Sequence, residues 1–408
     1  MPAAFLDAHA LDWLNLALRW FHLIAGIMWI GSSFYFMWLD AALEEPSPKR
    51  DGIEGELWMT HSGGFYRVEK RLIRPGELPA NLHWFKWEAT FTWISGILLL
   101  GAQYYLTGGV YLLDSTKSGT LTPAAAVGLS VGIIVVSWFV YDLLWVKAGG
   151  KAATWVSTAL SLVLLAGLAF GLCHFFSGRA AYVHLGAVLG TLMVANVWVR
   201  ILPAQQQMID ATLRGEQPDY GAGKRAKLRS VHNSYVTLPV IFMMVSNHYP
   251  STYGHALNWV VLLLFVVLGA ALRHVMILKV KGAPMGGPYL WAGAAAALSL
   301  GALFWMTTPA PRGVASTASA GPAGWVEARG VLERRCVQCH GAHPTDDVFL
   351  TPPNGIRFDD PATAKAQAER IRVRVVEQRS MPLANKTEMT DEERDVLDRW
   401  ARAGAPIE

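Results

Sequence analysis

Trp259-Val-Val-Leu-Leu-Leu-Phe-Val-Val-Leu-Gly-Ala-Ala-Leu272 decides the class of this protein. The run is apolar throughout and meets charge only at Arg273-His274, inside a longer stretch at 256–280. A helix of about twenty such residues crosses the hydrocarbon core of a bilayer. Comparable runs lie near 13–39, 83–107, 123–146, 153–176, 180–203, 231–248 and 288–307. The one at 231–248 is short and flanked by polar residues. Composition agrees, with 52% hydrophobic residues, 16% charged residues and 17 tryptophans. The net charge of +4 is segregated into loops, so it says little about partners, and no nucleic acid is expected among them. No cleavable signal peptide is read, because the first apolar segment is long enough to stay in the membrane.

Lys and Arg set the sidedness. The loop at 40–82 holds Lys49, Arg50, Arg67, Lys70, Arg71 and Arg74, and the loop at 204–230 holds Arg214, Lys224, Arg225, Lys227 and Arg229. The turns at 147–152 and 279–287 add Lys147, Lys151, Lys279 and Lys281. The alternate loops carry only Lys117 and Arg179. Both termini are therefore expected outside the cytoplasm, with the chain multi-pass in a bacterial inner membrane.

The C-terminal part is different. Residues 309–324 are rich in Pro, Gly, Ala, Ser and Thr, as a flexible tether is. Beyond them comes Cys336-Val-Gln-Cys339-His340, the C-x-x-C-H form of a c-type heme attachment site. Two thiols on one helical turn can add to the heme vinyl groups, and the adjoining histidine becomes the proximal iron ligand. A zinc half-site is the bland alternative, but it would need a second pair, and only His343 follows. Met381-Pro382 lies where a small cytochrome c would place its sixth ligand, and Met389 competes for that role. Helices are expected at Trp325–Glu333, Asp360–Arg379 and Thr390–Ala403, the last with a Thr390-x-x-Glu393 capping box. The third cysteine, Cys173, sits in an apolar run and reads as a core residue. The expected fold is all-α: an eight-helix transmembrane bundle at 1–308, a linker at 309–324 and an all-α cytochrome c domain at 325–408.

Polar side chains inside apolar spans need partners and mark function. In the outer half these are His22, His174, His184 and His248. Several histidines on one side favour a b-type heme, with His22 and His184 as the first pair and His248 as the main rival. His274 could support a second b heme nearer the inside. Asp142, Asn196 and Arg200 lie low in their spans. At the inner face His61, His83, Glu88, Arg229, His232 and Asn233 sit among tryptophans and small polar residues. Such donors suit a planar anion with several carbonyl oxygens, and a neighbouring His or Glu can accept a proton from it.

Several stretches carry a family resemblance. Trp29-Ile-Gly-Ser-Ser-Phe-Tyr-Phe36, His61-Ser-Gly-Gly-Phe-Tyr66, Leu82-His-Trp-Phe-Lys-Trp-Glu88, Gly190-Thr-Leu-Met-Val-Ala-Asn196 and Arg229-Ser-Val-His-Asn-Ser-Tyr-Val-Thr-Leu-Pro239 resemble the bacterial membrane-bound urate hydroxylases. That family joins an eight-span membrane domain to a cytochrome c domain. Ser62 stands where glycine is expected and Ser234 where asparagine is usual. The resemblance implies oxidation of urate to 5-hydroxyisourate with oxygen from water. Electrons would pass through the covalent heme c to the respiratory chain, and no hydrogen peroxide would form. On this reading His83, Glu88 and His232 handle protons, while His61, Arg229 and Asn233 hold urate. One heme c is expected on Cys336, Cys339, His340 and Met381, and one or two b hemes within the bundle. The expected partners are urate, membrane lipid, an electron acceptor such as a cytochrome c or terminal oxidase, and a second copy in a homodimer. A non-enzymatic subunit handling quinol or heme is the alternative.

Overall fold

The computed structural model describes residues 8–79, 81–106, 109, 111–114, 121–146, 150–308, 321–346, 349 and 352–408. Most of the tether at 309–324 lies outside these residues, as do Lys117 and Lys147. Fifteen α-helices are ordered along the described chain. The bundle is built from α1 (Ala8–Ala42), α2 (Trp87–Leu100), α3 (Pro123–Val146), α4 (Gly150–Phe175), α5 (Gly178–Ala195), α6 (Leu202–Leu213), α7 (Tyr220–Val245), α8 (Pro250–Tyr253), α9 (Asn258–Val280) and α10 (Gly287–Thr307).

Among the described residues, six helices are long and apolar enough to cross a membrane by length and composition: Trp13–Ala42, Pro123–Val146, Ala152–Phe175, Gly178–Leu213, Asn258–Val280 and Gly287–Thr307. The other two expected spans take different forms. Residues 83–107 become α2, continued by a π-helical stretch at Gly101–Tyr105. Residues 231–248 are mostly the apolar half of α7, whose first half carries Lys224, Arg225, Lys227 and Arg229.

The outward faces of α1 and α10 are bare of protein, with Trp20, Leu23, Ile27, Trp291, Leu298 and Phe304 exposed. The core lies instead around α5, where Tyr182, His184, Leu185 and Val188 are buried against Phe176, Met243 and Leu262. Helix α7 contains Pro239, and Gly269 of α9 faces it. A Cβ at Gly269 would stand 2.7 Å from the proline ring, so only glycine allows this approach.

One expectation is corrected: the chain is not all-α. Ile53–His61 (β1) and Gly64–Arg71 (β2) form an antiparallel hairpin, with His61 opposite Gly64. Ser62 (φ 51°) and Gly63 (φ 78°) both occupy the left-handed region, the geometry of a two-residue hairpin turn. Glycine suits such a position better than serine. The hairpin joins the end of the bundle where α1 finishes and α7 begins, through Lys70 and Lys227, which both pair with Asp40.

The C-terminal unit folds around its own small core. Trp400, Leu397, Leu332, Val331 and Ile371 are buried together, and Trp400 Nε1 donates to the Pro406 carbonyl at 2.8 Å. Its helices are α11 (Trp325–Arg335), α12 (Val337–His340), α13 (Pro361–Ala366), α14 (Ala368–Arg372) and α15 (Asp391–Arg402). The single helix expected at Asp360–Arg379 is broken at Gln367 into α13 and α14, then turns π-helical at Val373–Glu377. Thr390 and Glu393 make the expected reciprocal cap on α15. The unit rests on the opposite end of the bundle from the hairpin. Phe349 meets Tyr111 edge to face at 6.1 Å. Gly254 lies so close to the Gln378 carbonyl that a Cβ would come within 2.5 Å.

Candidate functional site

Three regions bring chemistry-bearing side chains together. The first is a polar cluster where α3, α5 and α7 meet. At Asn196–Ile201 the chain continues α5 as a π-helical stretch before entering α6. Wide turns of this kind recur at functional sites. Asn196 is 1% exposed; its amide donates to the Tyr141 hydroxyl (3.1 Å) and to Asn233 Oδ1 (2.9 Å). Asn233 in turn donates to the Met193 carbonyl at 3.0 Å. Tyr141 OH is also 2.8 Å from His232 Nδ1, and Trp145 packs edge-on against that imidazole at 4.1 Å.

Charge in this cluster is paired. Asp142 accepts from Arg200 Nε at 2.8 Å and from Arg229 Nη2 at 2.9 Å. The Arg229 guanidinium also lies over the Tyr141 ring at 4.9 Å. Two guanidinium groups thus share one carboxylate, which leaves the trio with a net positive charge. Two buried atoms nevertheless have no hydrogen-bond partner: Arg229 Nη1 and Asn196 Oδ1. One is a donor and the other an acceptor, and Tyr141 contacts both side chains. An unmet buried polar atom costs about 1–3 kcal/mol.

The second region is a cavity of ≈ 510 Å³ among α1, α2, α5 and α7. Its walls are mainly apolar, with glycines at Gly26, Gly96, Gly186 and Gly190, and with Arg19, Gln103 and Asn247 at one end. His22 lines it. The His22 Nδ1–H donates to the Thr92 carbonyl at 3.0 Å, because a carbonyl oxygen can only accept. Nε2 is thereby left with its lone pair. His184 does not line this space. It faces the other side of α5, with Nδ1 on the Ala180 carbonyl (2.7 Å), Nε2 3.4 Å from Tyr105 OH, and Tyr104, Tyr105 and Phe176 around the ring. His248 is absent from the lining as well. The structure therefore separates the expected pair of His22 and His184. The cavity ends at Met193 and Thr237, beside the Asn233 of the polar cluster.

The third region is the C-x-x-C-H turn. Cys336 precedes α12, and neither Cys336 nor Cys339 is in a disulfide. His340 Nδ1–H donates to the Ile356 carbonyl at 3.0 Å, which fixes the tautomer and leaves Nε2 available as a ligand. Burial lowers the His340 pKa, favouring the neutral ring. Burial also pushes the Cys336 thiol up to about 12. Cys336 and Met381 border the same core, in which Met389 is buried. Arg394 holds the Met381 carbonyl at 3.0 Å and also reaches the Val375 carbonyl. This donor set fits a covalently held heme. Among the described residues, no three His, Cys, Asp or Glu side chains converge as a metal cage.

The remaining expected residues lie apart. His61 is exposed at the tip of the hairpin. His83 is exposed, stacks edge-on to Phe85 at 4.6 Å, and lines a separate ≈ 320 Å³ groove with Arg71, Gln205 and Tyr220. Glu88 is in the first turn of α2, and its Oε2 is buried without a partner. His274 bonds Tyr235 OH at 2.6 Å, and Ser234 accepts from Arg273 Nε at 2.6 Å. Tyr141 and Trp145 belong to the polar cluster although nothing in their local sequence marks them.

No curated protein and no solved structure is significantly similar to this chain. A family comparison does match. Urate oxidase N-terminal is matched over residues 8–307, which takes in both the polar cluster and the cavity, and the chain belongs to that family.

Proposed function

We propose that this chain is a membrane-bound urate hydroxylase. It would take urate at the polar cluster and deliver electrons to a heme c on its C-terminal cytochrome c domain. The observation that carries this is the unmet donor and acceptor pair, Arg229 Nη1 and Asn196 Oδ1, on either side of Tyr141. Urate offers the complement, carbonyl oxygens for the guanidinium and ring N–H groups for the amide oxygen.

Oxidation of the urate monoanion to 5-hydroxyisourate consumes one water and releases one proton and two electrons. Asp142 holds Arg229 in place while Arg229 faces the anion. Tyr141 and His232 form a hydrogen-bonded pair that can accept the proton, with Nε2 of His232 turned away from the tyrosine. Asn233 orients Asn196. His83, Glu88 and His61 fit less directly; His83 and the hairpin lie at the entrance end of the bundle rather than in the cluster. When bound, the heme c accepts electrons one at a time. Cys336 and Cys339 would anchor it, and His340 and Met381 would hold its iron.

With α2 and the apolar half of α7 as the further two of eight spans, the C-terminal unit and the hairpin would lie on opposite sides of a bacterial inner membrane. The C-terminal unit would be periplasmic, where a respiratory-chain acceptor takes the electrons. Anaerobic addition of urate to the purified full chain tests the reading. Reduction of the c-heme band is expected, and Asn196→Ala should raise the urate KM about tenfold. If only a quinol reduces the band, the protein is an electron-transfer subunit and not a urate enzyme. His340→Ala should abolish covalent heme staining on a denaturing gel, and persistent staining would refute the attachment site.

A further inference from the structure

We infer that the cavity among α1, α2, α5 and α7 is the site of a b-type heme held by His22 as its only imidazole ligand. Five features of the site support this. Its ≈ 510 Å³ falls within the range of pockets that enclose a cofactor-sized ligand. The His22 ring is oriented as heme and metal ligands usually are, with Nδ1–H tied to a backbone carbonyl and Nε2 open.

Glycines on α1, α2 and α5 flatten the walls, and a Cβ built at Gly190 meets nothing within 4 Å. A rigid planar group needs such bare helix faces. A cationic and an amide group gather at one end, where Arg19 lies with Asn247, and Arg179 Nε donates to Asn247 at 3.1 Å. Two propionates on one edge of an apolar macrocycle match that asymmetry, because carboxylates in an apolar setting need cations. The lining carries Met193 and Met244 and no second histidine. His184 and His248 are therefore not ligands here.

The cavity also lies between the other two regions. At its inner end Met193 and Thr237 adjoin Asn233. At its outer end Tyr104 meets Tyr111 at 6.3 Å, and Tyr111 touches Phe349. A carrier at this point would divide the roughly 30 Å of hydrocarbon into two shorter transfers. That role, receiving electrons singly from urate and passing them to the heme c, rests on the function proposed above. Occupancy of the site does not.

Acid–acetone extraction followed by a pyridine hemochrome spectrum tests occupancy without any turnover. The full chain should yield extractable protoheme as well as heme that stays with the protein. His22→Ala should lose at least nine-tenths of the extractable heme and keep the covalent heme. His22→Gly should regain it when purified with imidazole, which a merely structural role for His22 would not allow. Gly190→Leu fills the open space without touching His22 and should also exclude the heme. Wild-type protein without extractable heme would overturn the inference. So would extractable heme retained in both His22→Ala and Gly190→Leu, or lost in His184→Ala while kept in His22→Ala. Heme found but not reduced by urate would sink the substrate reading and leave this site standing.

Discussion

The two halves of the bundle solve opposite problems with the same helices. At the inner end α3, α5 and α7 bring together a carboxylate, two guanidinium groups, two amides, a phenol and an imidazole, and pair nearly all of them. In the outer half α5 and α7 join α1 and α2 around a space that side chains leave empty, with one imidazole in it. The inner region is held by shared ion pairs and hydrogen bonds and is sensitive to the loss of any member. The outer region is held by shape and is sensitive to added volume. A single helix, α5, takes part in both, through Asn196 at one end and the glycines at 186 and 190.

Asp142→Ala is the strongest way to break that contrast. It leaves Arg229, whose side chain is 6% exposed, without its carboxylate. Removing one member of a buried ion pair costs about 3–5 kcal/mol. Thermal unfolding in detergent should show a large loss of stability. An unchanged midpoint would mean that the network is not buried as described. Tyr141→Phe comes next. It removes the hydroxyl shared by Asn196 and His232, and hydrogen bonds of this kind are worth about 1 kcal/mol each. Urate kcat/KM should fall about 5- to 10-fold while extractable heme is unchanged, so loss of the heme would show that the two regions are not separable.

Two glycines one turn apart on α5 sharpen the contrast in shape. A Cβ at Gly186 would come within 2.9 Å of the Met244 methyl and 3.0 Å of Met243 Cβ, whereas one at Gly190 has open space. Gly186→Ala should destabilise by about 1–3 kcal/mol through overpacking. Gly190→Ala meets no protein atom and should leave stability closer to wild type. Equal melting temperatures for the two variants would contradict the packing. The smallest effect lies outside both regions. Ser62→Gly relieves a left-handed residue worth about 1 kcal/mol, and limited proteolysis of the hairpin should slow slightly.

What the sequence made legible was local. The helical turn from Val337 to His340, the cap at Thr390 and six of the eight apolar runs each carry their signal locally, and the structure forms those elements. The hairpin escaped because its strands alternate charges with apolar residues inside a basic loop; the turn at Ser62-Gly63 was the one available sign. The polar cluster was half visible. Asp142, Asn196 and Arg200 were conspicuous as polar residues in apolar spans, but which of them meet depends on three helices far apart in sequence. Tyr141 could not be singled out at all, since a tyrosine in a span is ordinary. The pairing of His22 with His184 failed for a geometric reason. Similar depth in the bundle does not give a shared face, and on α5 the residues facing the cavity are Val183, Gly186, Ala187 and Gly190.

Pro239 has a consequence for the whole assembly. Having no amide hydrogen, it cannot bond the carbonyl of Tyr235 one turn earlier. Helix α7 is thus divided at that residue, with Arg229, His232 and Asn233 before it and the cavity-lining Val240, Ile241 and Met244 after it. Gly269 clamps the joint from α9. Any side chain at residue 269 would collide with the Pro239 ring, so the missing methyl there sets how closely α7 and α9 can approach.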